Sequence, residues 1–297
     1  PQGSVLGPLL FLCHINDLPD RTKSTVRMFA DDCLLYRQIQ TPEDHIILEN
    51  DLKALGDWAD MWAMKFNAKK CYVMTIGRQR KLSHFIYTLC NHPLENVKNN
   101  PYLGIQISND LKWKTHIDKT CNKSNKILGF LRRNLKHCPT KLKETAYKSL
   151  VRSIVEYSAT IWDPYLKKDT TQVEKIQRKA ARFVCNDYRQ TSSVSAMLDK
   201  LKWQPLEQRR RSARRSARIT LLYKILTEKV AIEHKDYITF NTSGTRAGSR
   251  NKLHVYSPQT ETSRNSFFPR TVKDWNQLNF DPLQSKDINE LRSKMFY

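Results

Sequence analysis

Two adjacent carboxylates, Asp31 and Asp32, interrupt an otherwise apolar and alternating stretch, "STVRMFADDCLLYR", residues 24 to 37. Val26, Met28 and Ala30 alternate with Arg27 and Phe29 before the pair, and Leu34 and Tyr36 alternate with Leu35 and Arg37 after it. This period of two predicts a β-hairpin with Asp-Asp at its tip. Like charges a few ångströms apart repel by about 1 kcal/mol even in water, and by more beside a protein wall. Two readings account for holding them together. Asp suits turns, because its carboxylate hydrogen-bonds nearby backbone. Paired carboxylates are also hard oxygen ligands for a cation such as Mg²⁺, which removes the repulsion.

With 297 residues, 39% apolar and 27% charged, the chain has room for two or three domains with cores of their own and is not of disordered composition. Its first residue is Pro rather than Met, so it reads as part of a longer chain. Apolar runs such as "PLLFLC" are too short to span a bilayer. No signal peptide is visible, and an intracellular protein is expected. The excess of 51 Lys and Arg over 29 Asp and Glu, a net charge of +22, points to a polyanionic partner, nucleic acid before anionic membrane. Seven cysteines, an odd number without a C-x-x-C pair, indicate neither a disulfide framework nor a zinc knuckle.

Along the chain, apolar residues from Leu9 to Ile15 fall on nearly every face, the pattern of a short buried helix opened by Gly7 and Pro8. After the hairpin, Thr41 as N-cap, Pro42 and the capping-box acid Asp44 start a long amphipathic helix, with Leu48, Leu52, Leu55, Ala59 and Trp62 at helical spacing. "CYVMTIG" (71–77), "HFIYTLC" (84–90) and "PYLGIQI" (101–107) read as strands, so residues 1–109 predict an α+β domain. From about Leu111 the texture is all-α. Leu142, Ala146, Leu150 and Ile154 recur every four residues with Val151 and Val155 beside them, and Val173, Ile176, Ala180, Phe183 and Val184 form a second stripe. Residues 110–190 thus predict a helical domain, and 191–297 a basic extension of helices and loops that includes the loop "NTSGTRAGSRNKL".

Cations gather on two predicted helix faces. Lys175, Arg178, Lys179 and Arg182 lie opposite the second apolar stripe, a geometry suited to tracking phosphates. Arg211, Arg214, Arg215 and Arg218 share another face, with Ala213, Ala217 and Leu221 left to pack. Four uncompensated arginines on one face repel one another, so an anion is expected there.

The ordered series "PQGSVLGPLLF", "FADD", a helix, "FNAKKCYVM" and "PYLGIQI" resembles the later half of a reverse transcriptase palm. "YKSLVRSIVEYSATIWDPYLKKDTTQVEKIQRKAARFV" and "SFFPRTVKDWNQL" resemble the region after the polymerase in non-LTR retrotransposons of the jockey-like kind. The resemblance covers most of the chain. It implies a partial palm followed by an all-α thumb and a helical extension. On this resemblance Asp31 and Asp32 are the catalytic pair that holds two Mg²⁺ ions for nucleotidyl transfer. Gln2 and Gly3 fall on the loop that lies against template base and nucleotide. Lys70, or its neighbour Lys69, falls on a lysine that protonates pyrophosphate. Tyr102, Leu103 and Gly104 fall on the primer grip, a role a plain core strand competes with. The implied partners are an RNA template, an RNA·DNA duplex and deoxynucleoside triphosphates, and the locations expected of a retroelement polymerase are nucleus and cytoplasm. A third catalytic carboxylate and the nucleotide-binding fingers, which the family carries before the "PQG" loop, are not in this chain, so alone it is expected not to polymerise. The rival expectation is a retroelement remnant that binds nucleic acid without activity.

Overall fold

The computed structural model describes residues 3–77, 85–162, 164–240 and 252–296. Leu6–Ile15 forms the first helix (α1), with Gly7 and Pro8 in its opening turn. It does not lie inside the domain as expected: Leu6, Leu9, Leu10 and Leu12 are at least half exposed, and only the flank carrying Phe11 and Ile15 reaches the core. A helix apolar all round has no inward face in its periodicity, so sequence alone does not say which flank is covered.

Thr25–Phe29 (β1) and Asp32–Tyr36 (β2) pair antiparallel, Val26 opposite Leu35, Met28 opposite Cys33 and Phe29 opposite Asp32. Pro42–Met61 (α2) begins with the predicted capping box: Asp44 accepts the backbone N–H of Thr41 at 3.0 Å and of Gln40 at 3.0 Å. Leu55, Trp58 and Ala59 of α2 pack with Ile15, Leu18 and Val26, with Met28 and Leu35 at the margin. Trp62 is largely exposed, because the helix ends at Met61 and Trp58 takes the core position instead.

The predicted strands after α2 are much shorter than expected. Tyr72–Val73 (β3) pairs in parallel with Glu95–Asn96 (β6), and Thr88–Leu89 (β4) pairs antiparallel with His92–Pro93 (β5). Pro93 has no N–H to give a ladder, which limits pairing here. Asn99–Tyr102 (β7) and Ile105–Ser108 (β8) form a last hairpin. Among the described residues every sheet has two strands.

The chain divides into two compact units, Pro1–Asn100 and Pro101–Tyr297. In the second, Lys114–Asn134 (α3), Thr140–Tyr147 (α4), a π turn at Lys148–Arg152, Ser153–Glu156 (α5) and Lys167–Cys185 (α6) surround a core of Ile117, Leu128, Tyr147, Val151, Val155, Trp162, Ile176 and Phe183. The buried line of α4 and α5 is Tyr147, Val151 and Val155, whereas Leu142 and Leu150 of the expected stripe are half exposed. Two apolar stripes run side by side there, and the wider π turn rotates the neighbouring one inward. Val194–Lys200 (α7) follows, and then Leu206–Leu226 (α8), which starts in this core at Leu206 and ends in another. That second core joins Ile219, Leu222 and Tyr223 of α8 to Ile238–Phe240 (β9), Leu253–Val255 (β10), Phe267–Asn276 (α10) and Ile288–Phe296 (α11), past the short Glu261–Arg264 (α9). Most of the predicted loop "NTSGTRAGSRNKL" lies outside the described residues. Among the described residues, no helix is long and apolar enough to cross a membrane.

Candidate functional site

The β1–β2 hairpin turns through two residues, Ala30 and Asp31, with Asp32 opening β2. Ala30 has φ 52°, a left-handed conformation that costs a non-glycine residue about 1–2 kcal/mol. The hairpin is held from below and behind. Val26, Met28 and Leu35 pack on α2, and Asp51 in the middle of α2, almost fully buried, accepts the backbone N–H of Lys23 at 2.9 Å and of Ser24 at 2.8 Å at the entry to β1.

Four other acids of this unit serve the fold, while Asp20, Asp57, Asp60 and Glu95 are exposed with no side-chain hydrogen bond or ion pair among the described residues. Asp17 accepts the Trp58 Nε1–H at 3.1 Å, Glu49 accepts the Thr88 N–H at 3.2 Å, and Asp44 and Asp51 act as described. Asp31 and Asp32 are in the second group and, unlike its other members, are adjacent. Both are exposed, and among the described residues no hydrogen bond or ion pair engages either side chain. Their neighbour Phe29 is exposed too.

Gln2 lies outside the described residues. Gly3 has φ 91° with open space where a Cβ would stand, so its backbone conformation, not crowding, calls for glycine. Lys70 ends a short 3₁₀ turn, Ala68–Lys70, and is exposed. Its neighbour Lys69, with Lys65, Phe66, Asn67, Ala68 and His92, lines an open cavity of about 450 Å³ in which Lys70 takes no part. Tyr102, Leu103 and Gly104 form the β7–β8 turn, with Leu103 at φ 48° and Gly104 at φ 78°, the two positive angles of a tight hairpin.

Lys175, Arg178 and Lys179 are exposed on α6. Arg182 is instead half buried and donates to the carbonyls of Arg189 at 2.7 Å and Ser192 at 3.3 Å, bracing the loop after α6. This face has a second helix beside it. Gln172 donates to Asp118 at 2.8 Å, Lys179 donates to Asn125 at 3.0 Å, and the Arg132 guanidinium lies 4.5 Å above the Tyr188 ring, so α3 and α6 run parallel along one seam. Exposed Lys123, Lys126 and Arg133 of α3 extend the basic surface of α6. Sequence reading missed them, although Lys119, Lys123, Lys126 and Arg133 recur at helical spacing.

The arginines of α8 are not the uncompensated face that their spacing predicts. Arg214 is 5% exposed. Arg218 donates to Asp274 of α10 at 2.7 Å, with Arg215 at 3.9 Å from the same carboxylate, and Arg211 pairs with Glu207 at 3.1 Å. The helical spacing is as read, but inside and outside are reversed: Ile219, Leu222 and Tyr223 turn the helix toward α10, while Ala213 and Leu221, expected to pack, are exposed.

Residues 1–107 match the family model of reverse transcriptases (RNA-dependent DNA polymerases). That family uses divalent metal ions, an RNA template and nucleotide substrates.

The relatives come from non-LTR retrotransposons. The chain is 29% identical over 201 residues to a probable RNA-directed DNA polymerase from transposon BS of Drosophila melanogaster, covering 62% of this chain and 22% of that protein. It is 24% identical over 193 residues to the probable RNA-directed DNA polymerase from transposon X-element of Drosophila melanogaster, covering 62% and 21%. To the Pol polyprotein of the type-1 retrotransposable element R1 of Nasonia vitripennis it is 24% identical over 223 residues, covering 70% and 65%. The chain thus spans about a fifth of the length of the first two relatives. No solved structure matches it.

Proposed function

We propose that this chain is part of an RNA-directed DNA polymerase in which Asp31 and Asp32 hold two Mg²⁺ ions, residues 1–109 being part of the palm, 110–190 a thumb and 191–297 a helical extension. The observation that carries the reading is the state of the two carboxylates. If Asp were at this turn for local hydrogen bonding, its side chain would bond nearby backbone; neither does. Two like charges are kept side by side, exposed, on a hairpin that α2 makes rigid. The donor set, all carboxylate oxygen, fits a hard divalent cation. Among the described residues no third His, Cys, Asp or Glu joins the pair, so Asp31 and Asp32 supply part of a coordination shell.

Divalent ions bound there would stabilise the attacking and leaving oxygens of an in-line phosphoryl displacement. The protein's own share is positioning. The hairpin fixes the carboxylates, the Tyr102–Gly104 turn supports the primer end, and the α3–α6 surface follows the phosphates of the RNA·DNA duplex.

The test is RNA-templated incorporation of deoxynucleotides by the purified full-length protein. Extension that requires the RNA template and a divalent ion, and stops on chelation, is expected. A protein that binds RNA and duplex but extends no primer in Mg²⁺ or Mn²⁺ would be a binding remnant, and the proposal would fail.

A further inference from the structure

Tyr157, at the end of α5, reaches the Tyr102–Gly104 turn from within the same unit. Its hydroxyl donates to the Leu103 carbonyl at 3.1 Å. Its ring lies so close to Gly104 that a Cβ there would meet ring carbon Cε1 at 3.1 Å. Leu103 and Gly104 both hold left-handed φ angles, and leucine leaves that region readily unless something outside the turn fixes it. Tyr157 is the group placed to do so.

Its other end is anchored. The Tyr157 carbonyl accepts the Trp162 Nε1–H at 2.9 Å, and Trp162 is fully buried. The His116 ring meets Trp162 edge-on, centroids 4.8 Å apart, and the Arg210 guanidinium lies 4.1 Å over its face. A rigid core residue therefore sets the backbone of Tyr157, and Tyr157 sets the backbone of the turn. The Tyr157 side chain contributes little to the core itself, being 54% exposed.

We propose that Tyr157 is a positioning residue for polymerisation, fixing the Leu103–Gly104 backbone that supports the primer 3′ end. The proposal rests on reading that turn as a primer grip. Its test uses the 297-residue chain bound to an RNA·DNA primer–template whose primer ends in a photoreactive 4-thiothymidine. In the unaltered chain the probe should crosslink to residues 102–104. Tyr157→Phe keeps the ring against Gly104 and loses one hydrogen bond, so the crosslink yield should fall about fivefold. Tyr157→Ala loses both contacts and should fall further, so that Phe partly rescues Ala. Total duplex affinity should change less than about twofold in either variant, since the residue is exposed. Amide exchange of residues 103–106 in the free variants should rise by a similar factor to the crosslinking loss. Unchanged crosslinking and exchange in both variants would overturn the proposal. An unaltered chain that never crosslinks at 102–104 would instead overturn the primer-grip reading and the reaction role with it, faster exchange then marking Tyr157 as a brace of the turn alone.

Discussion

Asp44 shows what a carboxylate becomes when a fold uses it. The backbone N–H groups of Gln40 and Thr41, and then Arg37, hold its carboxyl down at about 2. A carboxyl with a depressed folded pKa adds stability that is fully present above its unfolded value, near 4, and is lost as pH falls through about 2. Asp44→Asn should therefore lower the Tm at pH 7, with the gap to the parent protein closing between about pH 4 and pH 2; equal melting curves at pH 7 would show that the capping box is idle. Thr41, Pro42 and Asp44 were legible because a helix cap is a contact between sequence neighbours. Arg182 was not, because its partners are the carbonyls of Arg189 and Ser192, and a loop's return to a helix leaves no trace in periodicity. Asp31 and Asp32 stood out in the sequence as two adjacent charges, and in the structure neither side chain has a partner among the described residues.

Among the elements, α8 and the α3–α6 pair divide the cations between structure and surface. Replacing Lys126, Arg133, Lys175 and Arg178 by Gln should keep the helices and reduce the slope of log affinity against log salt by up to about 3.6, if each contacts one phosphate. Arg218→Gln should leave that slope alone and cost about 1–3 kcal/mol of stability, since it leaves Asp274 short of a charged hydrogen bond in a half-buried seam. Salt titrations of duplex binding and denaturant melts separate the two outcomes, and a lower slope for Arg218→Gln would return α8 to the binding surface. Helical spacing placed Arg211, Arg214, Arg215 and Arg218 on one face, as the structure does. It could not say that Asp274, far along the chain, would meet Arg215 and Arg218, nor that α1 would be covered on one flank only.

At the scale of the whole molecule, α8 is, among the described residues, the one element common to two cores, starting at Leu206 and finishing at Ile219, Leu222 and Tyr223. Ala213→Pro, in the exposed stretch between them, should cost about 3 kcal/mol or more by kinking the helix. Amide exchange in α10 should then outpace that in α6, and unchanged protection in both would show that the cores do not depend on a continuous α8. The ordered motif series made the family legible where no single motif did, whereas the division at Asn100 and Pro101, which puts the Tyr102–Gly104 turn with the helices, depends on contacts such as that of Tyr157 and left no compositional signal. The central claim is that Asp31 and Asp32 serve chemistry rather than folding. In the full-length protein carrying this chain, Asp31→Asn should abolish RNA-templated primer extension in Mg²⁺ while duplex affinity stays within about twofold, because it removes a carboxylate charge and no phosphate contact. Near-normal extension by Asp31→Asn would contradict it.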